Sequence, residues 1–139
     1  MAITAREIMT ADRTCAAMTD TVRVAAVTMA RLGVGALPVC GTDNQLKGML
    51  TDRDIVIRVI AADLDPDSVT VGELAQPETV TIGADDTAQR IFATMAEHKV
   101  RRLPVIEGTD LVGIVALADV AKALPDTVVG QLLDALSSD

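Results

Sequence analysis

The chain has 139 residues, half of them apolar, a formal charge of −8 and a single aromatic residue, Phe92. That length suffices for a real core, the acidic balance opposes a nucleic-acid backbone or an anionic membrane surface, and one aromatic cannot make a base-stacking platform. No apolar run nears the roughly 20 residues of a membrane span, and the start, Met1-Ala-Ile-Thr-Ala-Arg-Glu7, carries an acid and no signal core, so the expected location is the cytoplasm.

In chain order, Thr4-Ala-Arg-Glu7 is a capping box that opens a short helix ending near Met9. An extended stretch follows at Thr14-Cys15-Ala16. A helix starts near Asp20-Thr21, with Val24, Val27, Thr28 and Leu32 as its expected apolar face. Leu37-Pro-Val-Cys40 and Leu46-Lys-Gly-Met-Leu50 read as strands about the turn Gly41–Asn44. Proline in the first of them predicts a starting or edge position, where the missing N–H costs least. A helix is predicted from about Asp52 to Ala62, and the polar run Asp63–Ser68 is a linker.

The same order then recurs. Thr70-Val-Gly-Glu73 is a second capping box, and Thr79–Ile82 a second short strand. A helix follows from Asp86-Thr87, with Ala88, Ile91 and Met95 inward and Asp86–Gln89 as a candidate cap pair. Leu103-Pro-Val-Ile106 and Leu111-Val-Gly-Ile-Val115 are the second strand pair, and Leu117–Leu124 the next helix. Val128–Leu136 is predicted as an extra helix, with Ser137-Ser-Asp139 frayed. Leu37-Pro38-Val39 matches Leu103-Pro104-Val105 at an offset of 103 − 37 = 66, and Asp54 matches Asp119 at 119 − 54 = 65, the lost residue falling in a turn. Two copies of one unit imply pseudo-symmetry, and a cleft between related halves is a natural ligand site.

A β-α-β-β-α unit with a leucine-proline-valine strand and the ending Gly48-Met-Leu-Thr51-Asp-Arg-Asp54 resembles a cystathionine-β-synthase (CBS) domain. Two in tandem resemble the CBS pair called a Bateman module. The resemblance implies an α/β (α+β) fold of two pseudo-twofold related CBS domains at residues 4–62 and 70–124, a linker at 63–69, and a C-terminal helix and tail at 125–139. Ala5-Arg-Glu-Ile-Met9, Gly33–Cys40 and Gly48–Val56 are also similar to the stand-alone hypoxic response proteins, which implies a stress or hypoxia role.

In nucleotide-binding members, the Asp of this motif accepts from ribose hydroxyls and the Thr lies near ribose and phosphate. That assigns Thr51 and Asp54 to an adenosyl nucleotide such as AMP or ATP. A carboxylate suits a vicinal diol, the glycine lets a ligand approach the backbone, and the new helix N-terminus favours anions. The same two residues also form a capping-box pattern at a helix start, which alone explains them. The second copy reads Gly113-Ile-Val-Ala116-Leu-Ala-Asp119. Ala116 has no hydroxyl, so Asp119 stands alone and a single nucleotide site is expected. Family resemblance gives Arg101 and Arg102 a phosphate contact, for which forked guanidinium groups are suited; a solvated pair or a surface ion pair is the other reading.

By the same resemblance, Cys15 and Cys40 lie on neighbouring strands. They are expected either to form one redox-responsive disulfide or to remain buried thiols packing as small hydrophobes. His98 reads as a helix-end residue, and one histidine does not make a metal site. No Ser-His-Asp set, metal-spaced cluster or glycine-rich phosphate loop is present, so an enzyme is not expected. The expectation is a regulatory homodimer sensing an adenosyl nucleotide in the cleft between repeats, with no certain cofactor and no metal. The alternative is a ligand-free dimeric stress or interaction protein.

Overall fold

Both sheets of the protein are three-stranded, one for each copy of the repeat, yet the compact units are not the two halves of the sequence. The computed structural model describes residues 2–11, 14–76 and 80–137, excepting the side chain of Leu132. One unit is contiguous, Thr14–Thr79, and is called the inner unit for its place along the chain; the outer unit joins Met1–Arg13 to Val80–Asp139.

In the inner unit, β1 (Ala16–Ala17) runs parallel to β2 (Ala36–Cys40), which pairs antiparallel with β3 (Leu46–Thr51). Helix α2 (Val22–Leu32) begins where the Thr21 hydroxyl accepts the Val24 N–H, and it ends at Gly33 with φ +68°, a left-handed position that glycine occupies without penalty. Its buried face is Val22, Ala25 and Met29, and the expected stripe of Val24, Val27 and Leu32 is instead exposed. Both stripes keep helical spacing. The sheet takes the one with alanine at its centre, which admits closer packing, while the Thr28 hydroxyl turns back to the Val24 carbonyl. Leu37, Val39, Leu50, Val59, Val71 and Leu74 complete this core. After β3 the chain forms α3 (Asp52–Ile55) and continues as a π-helical segment, Val56–Ile60, so the predicted helix to Ala62 is α-helical only in its first turn.

The outer unit repeats the plan. β4 (Ile82–Gly83) is parallel to β5 (Arg102–Glu107), which is antiparallel to β6 (Asp110–Ala116), followed by α6 (Leu117–Ala123). Helix α5 (Ala88–His98) buries Ala88, Ile91 and Met95, as its spacing predicts. Its cap is Thr87, accepting from the Arg90 N–H, rather than the pair Asp86–Gln89. Asp86 instead accepts the Gly83 N–H at 2.8 Å, as Asp20 accepts that of Ala17 at 3.1 Å. The short strands start later than predicted, at Ala16 and Ile82; Thr79 of the second prediction lies outside the described residues. Helix α7 (Asp126–Ser137) covers the predicted extra helix, and its Leu136 packs against the core of the outer unit. Of the tail expected to fray, Ser138 and Asp139 lie outside the described residues.

Pro38 and Pro104 correct a prediction, because β2 and β5 are the central strands of their sheets. The register explains how proline is accommodated there. Pro38 faces Met49, whose N–H and C=O both bond to Gln76 at 3.3 and 3.0 Å, so Pro38 and Met49 are a non-hydrogen-bonded pair. On the other side, β1 first pairs at Val39, one residue beyond the proline. Pro104 faces Ile114, whose backbone groups likewise bond to Thr10 at 3.0 and 2.9 Å. No ladder bond is lost in either sheet.

The short capping-box helices are exchanged relative to the repeat. α1 (Ala5–Ile8) opens the first repeat but belongs to the outer unit, where the Ala5 and Arg6 N–H groups donate to the carbonyls of Asp86 and Ala84 at 2.8 and 2.9 Å. α4 (Val71–Leu74) opens the second repeat but belongs to the inner unit, where Val71 and Gly72 donate to Asp20 and Met18 at 2.8 and 2.9 Å. Each is followed by a residue, Thr10 or Gln76, that bridges to the free edge of β6 or β3.

Candidate functional site

The motif glycines serve this edge contact. A Cβ on Gly48 would stand 2.6 Å from the Gln76 carbonyl oxygen, and one on Gly113 would stand 2.6 Å from that of Thr10. What approaches the backbone here is a segment of the same unit, so the ligand-access reading of Gly48 is corrected. The strand then ends in the Thr51 motif. Thr51 has extended backbone at the N-cap of α3, its N–H donates to Asp54 Oδ2 at 2.9 Å, and the Asp54 N–H donates to Thr51 Oγ1 at 3.1 Å. Both halves of the capping box are thus formed. Asp54 is half-buried, and its Oδ1 has no hydrogen-bond partner among the described residues.

In the outer unit the matching carboxylate, Asp119 Oδ2, accepts the Ala116 N–H at 2.7 Å. Ala116 adopts the same backbone as Thr51, φ −110° against −112°, but offers no hydroxyl in return. Arg102 pairs with Ala116 across β5 and β6, and the Arg101 carbonyl accepts the Leu117 N–H at 2.8 Å. The outer unit therefore gathers Arg101, Arg102 and Asp119 at one end of its sheet. The inner unit gathers Thr51 and Asp54, with Gly35 and Ala36 in the arginine positions. Both arginines are exposed and make no ion pair among the described residues. His98 is the last residue of α5, 4.0 Å from the Glu97 carboxylate.

Cys15 immediately precedes β1 and is half-buried, while Cys40 ends β2 and is buried. Both are free thiols, and β1, which Cys15 precedes, pairs with β2 up to Ala17 opposite Cys40. Burial first, then the neighbouring Cys15 thiol, pushes the Cys40 thiol up to about 12.

Sequence reading missed an open groove of about 530 Å³ in the inner unit, between α2 and α3. Met29, Val34, Ile55 and Val56 contribute to its walls and Asp52 is its one charged group, whereas Thr51 and Asp54 do not line it. The available signal was the run of small residues at Ala26, Ala30, Gly33 and Gly35, which leaves the groove unfilled. The matching position to Ala26 is Phe92, which packs against the outer unit's core.

The family described as CBS domain matches residues 5–61 and 71–126. Hypoxic response protein 1 of Mycobacterium tuberculosis is 47% identical over 135 residues, spanning 97% of this chain and 94% of that protein. A CBS domain-containing protein of Bacillus subtilis, YhcV, is 38% identical over 116 residues, 84% of this chain and 81% of the relative. Among solved structures, hypoxic response protein I with two coordinated zinc ions superposes with a TM-score of 0.81 at 50% identity, covering 88% of this chain and 99% of that one. Among the described residues here, no cluster of three or more His, Cys, Asp or Glu side chains could hold a metal ion.

Proposed function

Because the chain belongs to the CBS-domain family, we propose that it is a non-catalytic regulatory module, a homodimer that senses an adenosyl nucleotide such as AMP or ATP through the Asp54 motif. The carrying observation is the Asp54 carboxylate, with one oxygen fixed by the Thr51 N–H and the other without a partner among the described residues. A carboxylate oriented by its own cap can accept from a ribose hydroxyl without rearrangement. Arg101 and Arg102 are the cations proposed for phosphate. Ligand binding to the folded state alone raises its melting temperature, so a thermal-shift panel of AMP, ATP, S-adenosylmethionine and NADH tests the reading; no shift with any of them rejects it. In calorimetry, Asp54→Ala should cost about 1–3 kcal/mol of nucleotide binding, and Asp119→Ala should cost less. Equal losses would reject a single site.

A second reading is a ligand-free stress protein with a redox-responsive disulfide. It is supported by the parallel pairing of β1 with β2, which sets Cys15 beside the end of the strand that carries Cys40, and by the reciprocal capping of Thr51 and Asp54, which accounts for both residues without a ligand. The kinship to hypoxic response protein 1 supports a role at low oxygen. Air oxidation followed by thiol counting in denaturant decides it: the bridge predicts no titratable thiol, and two thiols would exclude it.

A further inference from the structure

The two units close the same backbone clasp with different side chains. In the inner unit the turn after β1 receives α4, the Gly72 N–H donating to the Met18 carbonyl at 2.9 Å. In the outer unit the turn after β4 receives α1, the Arg6 N–H donating to the Ala84 carbonyl at 2.9 Å. Met18 matches Ala84 at an offset of 84 − 18 = 66, and Gly72 matches Arg6 at 72 − 6 = 66. Ala84 is buried, and the Arg6 side chain reaches Asp85 and Glu107. Met18 instead folds back over Gly72, where an added Cβ would stand 3.2 Å from its Cε and 3.6 Å from its Cβ. The repeat itself therefore does not call for a thioether there.

Methionine ordinarily fills gaps inside a core, but Met18 is 39% exposed. Among the described residues no other sulfur-bearing side chain is as open: Cys15, Met9 and Met49 are half-buried, and Cys40, Met29 and Met95 are buried. An exposed thioether is a ready target for oxidation, and the sulfoxide replaces a flexible apolar group by a polar, chiral one. At Met18 its oxygen, a strong hydrogen-bond acceptor, would stand beside the Gly72 N–H that closes the clasp. Gln76, which follows α4, holds the Met49 backbone at the free edge of β3, two residues before Thr51.

We propose that Met18 is an oxidation site at which hydrogen peroxide loosens α4 from the inner unit and, through Gln76, the edge of the strand that leads into the Thr51 cap. The sulfur lone pair attacks one peroxide oxygen and the O–O bond breaks. The thioether is oxidised by two electrons to the sulfoxide, and the other oxygen leaves as water with both protons.

Limiting hydrogen peroxide on the native full chain tests it, read by peptide mass spectrometry and amide exchange. Met18 should gain one oxygen before Met9, Met29, Met49 and Met95 do, and exchange at Gly72, Gln76 and Met49 should then quicken about tenfold, as in a local opening. Arg6, Thr10 and Ile114, the matching amides of the outer unit, should keep their rates. Met18→Leu given the same dose should show no change at Gly72. Met18→Ala, which installs the residue of the outer unit, takes its place if far-UV circular dichroism finds Met18→Leu unfolded. Oxidation of any of the other four methionines ahead of Met18 overturns the site. A sulfoxide at Met18 that leaves Gly72 exchange unchanged, or the same quickening in the treated variant, overturns its action on α4.

Discussion

The proton on Cys40 is held more tightly in the folded chain than in the unfolded one, because burial and the adjacent Cys15 thiol both disfavour the thiolate. The thiolate is the nucleophile in disulfide exchange, so at neutral pH the sulfur of Cys40 is a poor attacker. The stability consequence has a definite sign. A raised folded-state value contributes stability that is complete below the unfolded value of 9.0 and is lost as pH climbs towards about 12. The urea midpoint should therefore fall through that window, and should fall less steeply in Cys40→Ala than in the wild type. Parallel curves for the two proteins would show that Cys40 does not carry the effect.

At the scale of elements, the two motif helices differ by one hydroxyl on the same backbone. Thr51→Ala should cost α3 about 1 kcal/mol, the usual value of an N-cap. Ala116→Thr should return a similar amount to α6, since the Asp119 half of the box is already in place. Chemical denaturation measures both, and a neutral Ala116→Thr would show that the hydroxyl cannot reach the Asp119 N–H. These caps were legible in sequence because they are local: residues three apart decide them. The central position of Pro38 was not legible, because it depends on Gln76 occupying the backbone of Met49 from outside the strand. The buried face of α2 was misread for a related reason. Two stripes of helical period share those eleven residues, and only the packed sheet selects Ala25 over Val24. The groove beside it was illegible because small residues signal close packing as readily as empty space.

At the scale of the molecule, the order of elements and the two sheets followed from the repeat, while the assignment of the short helices did not. A capping box marks where a helix begins and says nothing about which sheet receives it. The exchange makes a prediction opposite to the one sequence order suggests. Removing residues 2–11 should spare the inner unit and injure the outer one. Amide exchange should quicken at Ala88 and Ile114, which lose the Ile3 and Thr10 carbonyls, while Val71 and Gln76 stay protected. Faster exchange at Val71 with protection kept at Ile114 would mean the helices are not exchanged.

The pairing of Thr10 with Ile114 also sets an order in time. A ribosome delivers the inner unit whole: once Gln76 has emerged, every strand and helix of that core has its neighbours. The segment of α1 and Thr10 emerges before the inner unit, but the edge that receives it, β6, is synthesised only as residues 110–116 appear. Until then the half-made chain carries a finished domain flanked by an idle strip containing Ala5, Ile8 and Met9, side chains that end in the outer core. The ring this strip eventually closes is long, yet closure entropy grows only with the logarithm of loop length. Its expense is waiting rather than energy, and the outer unit is the last part of the protein to exist.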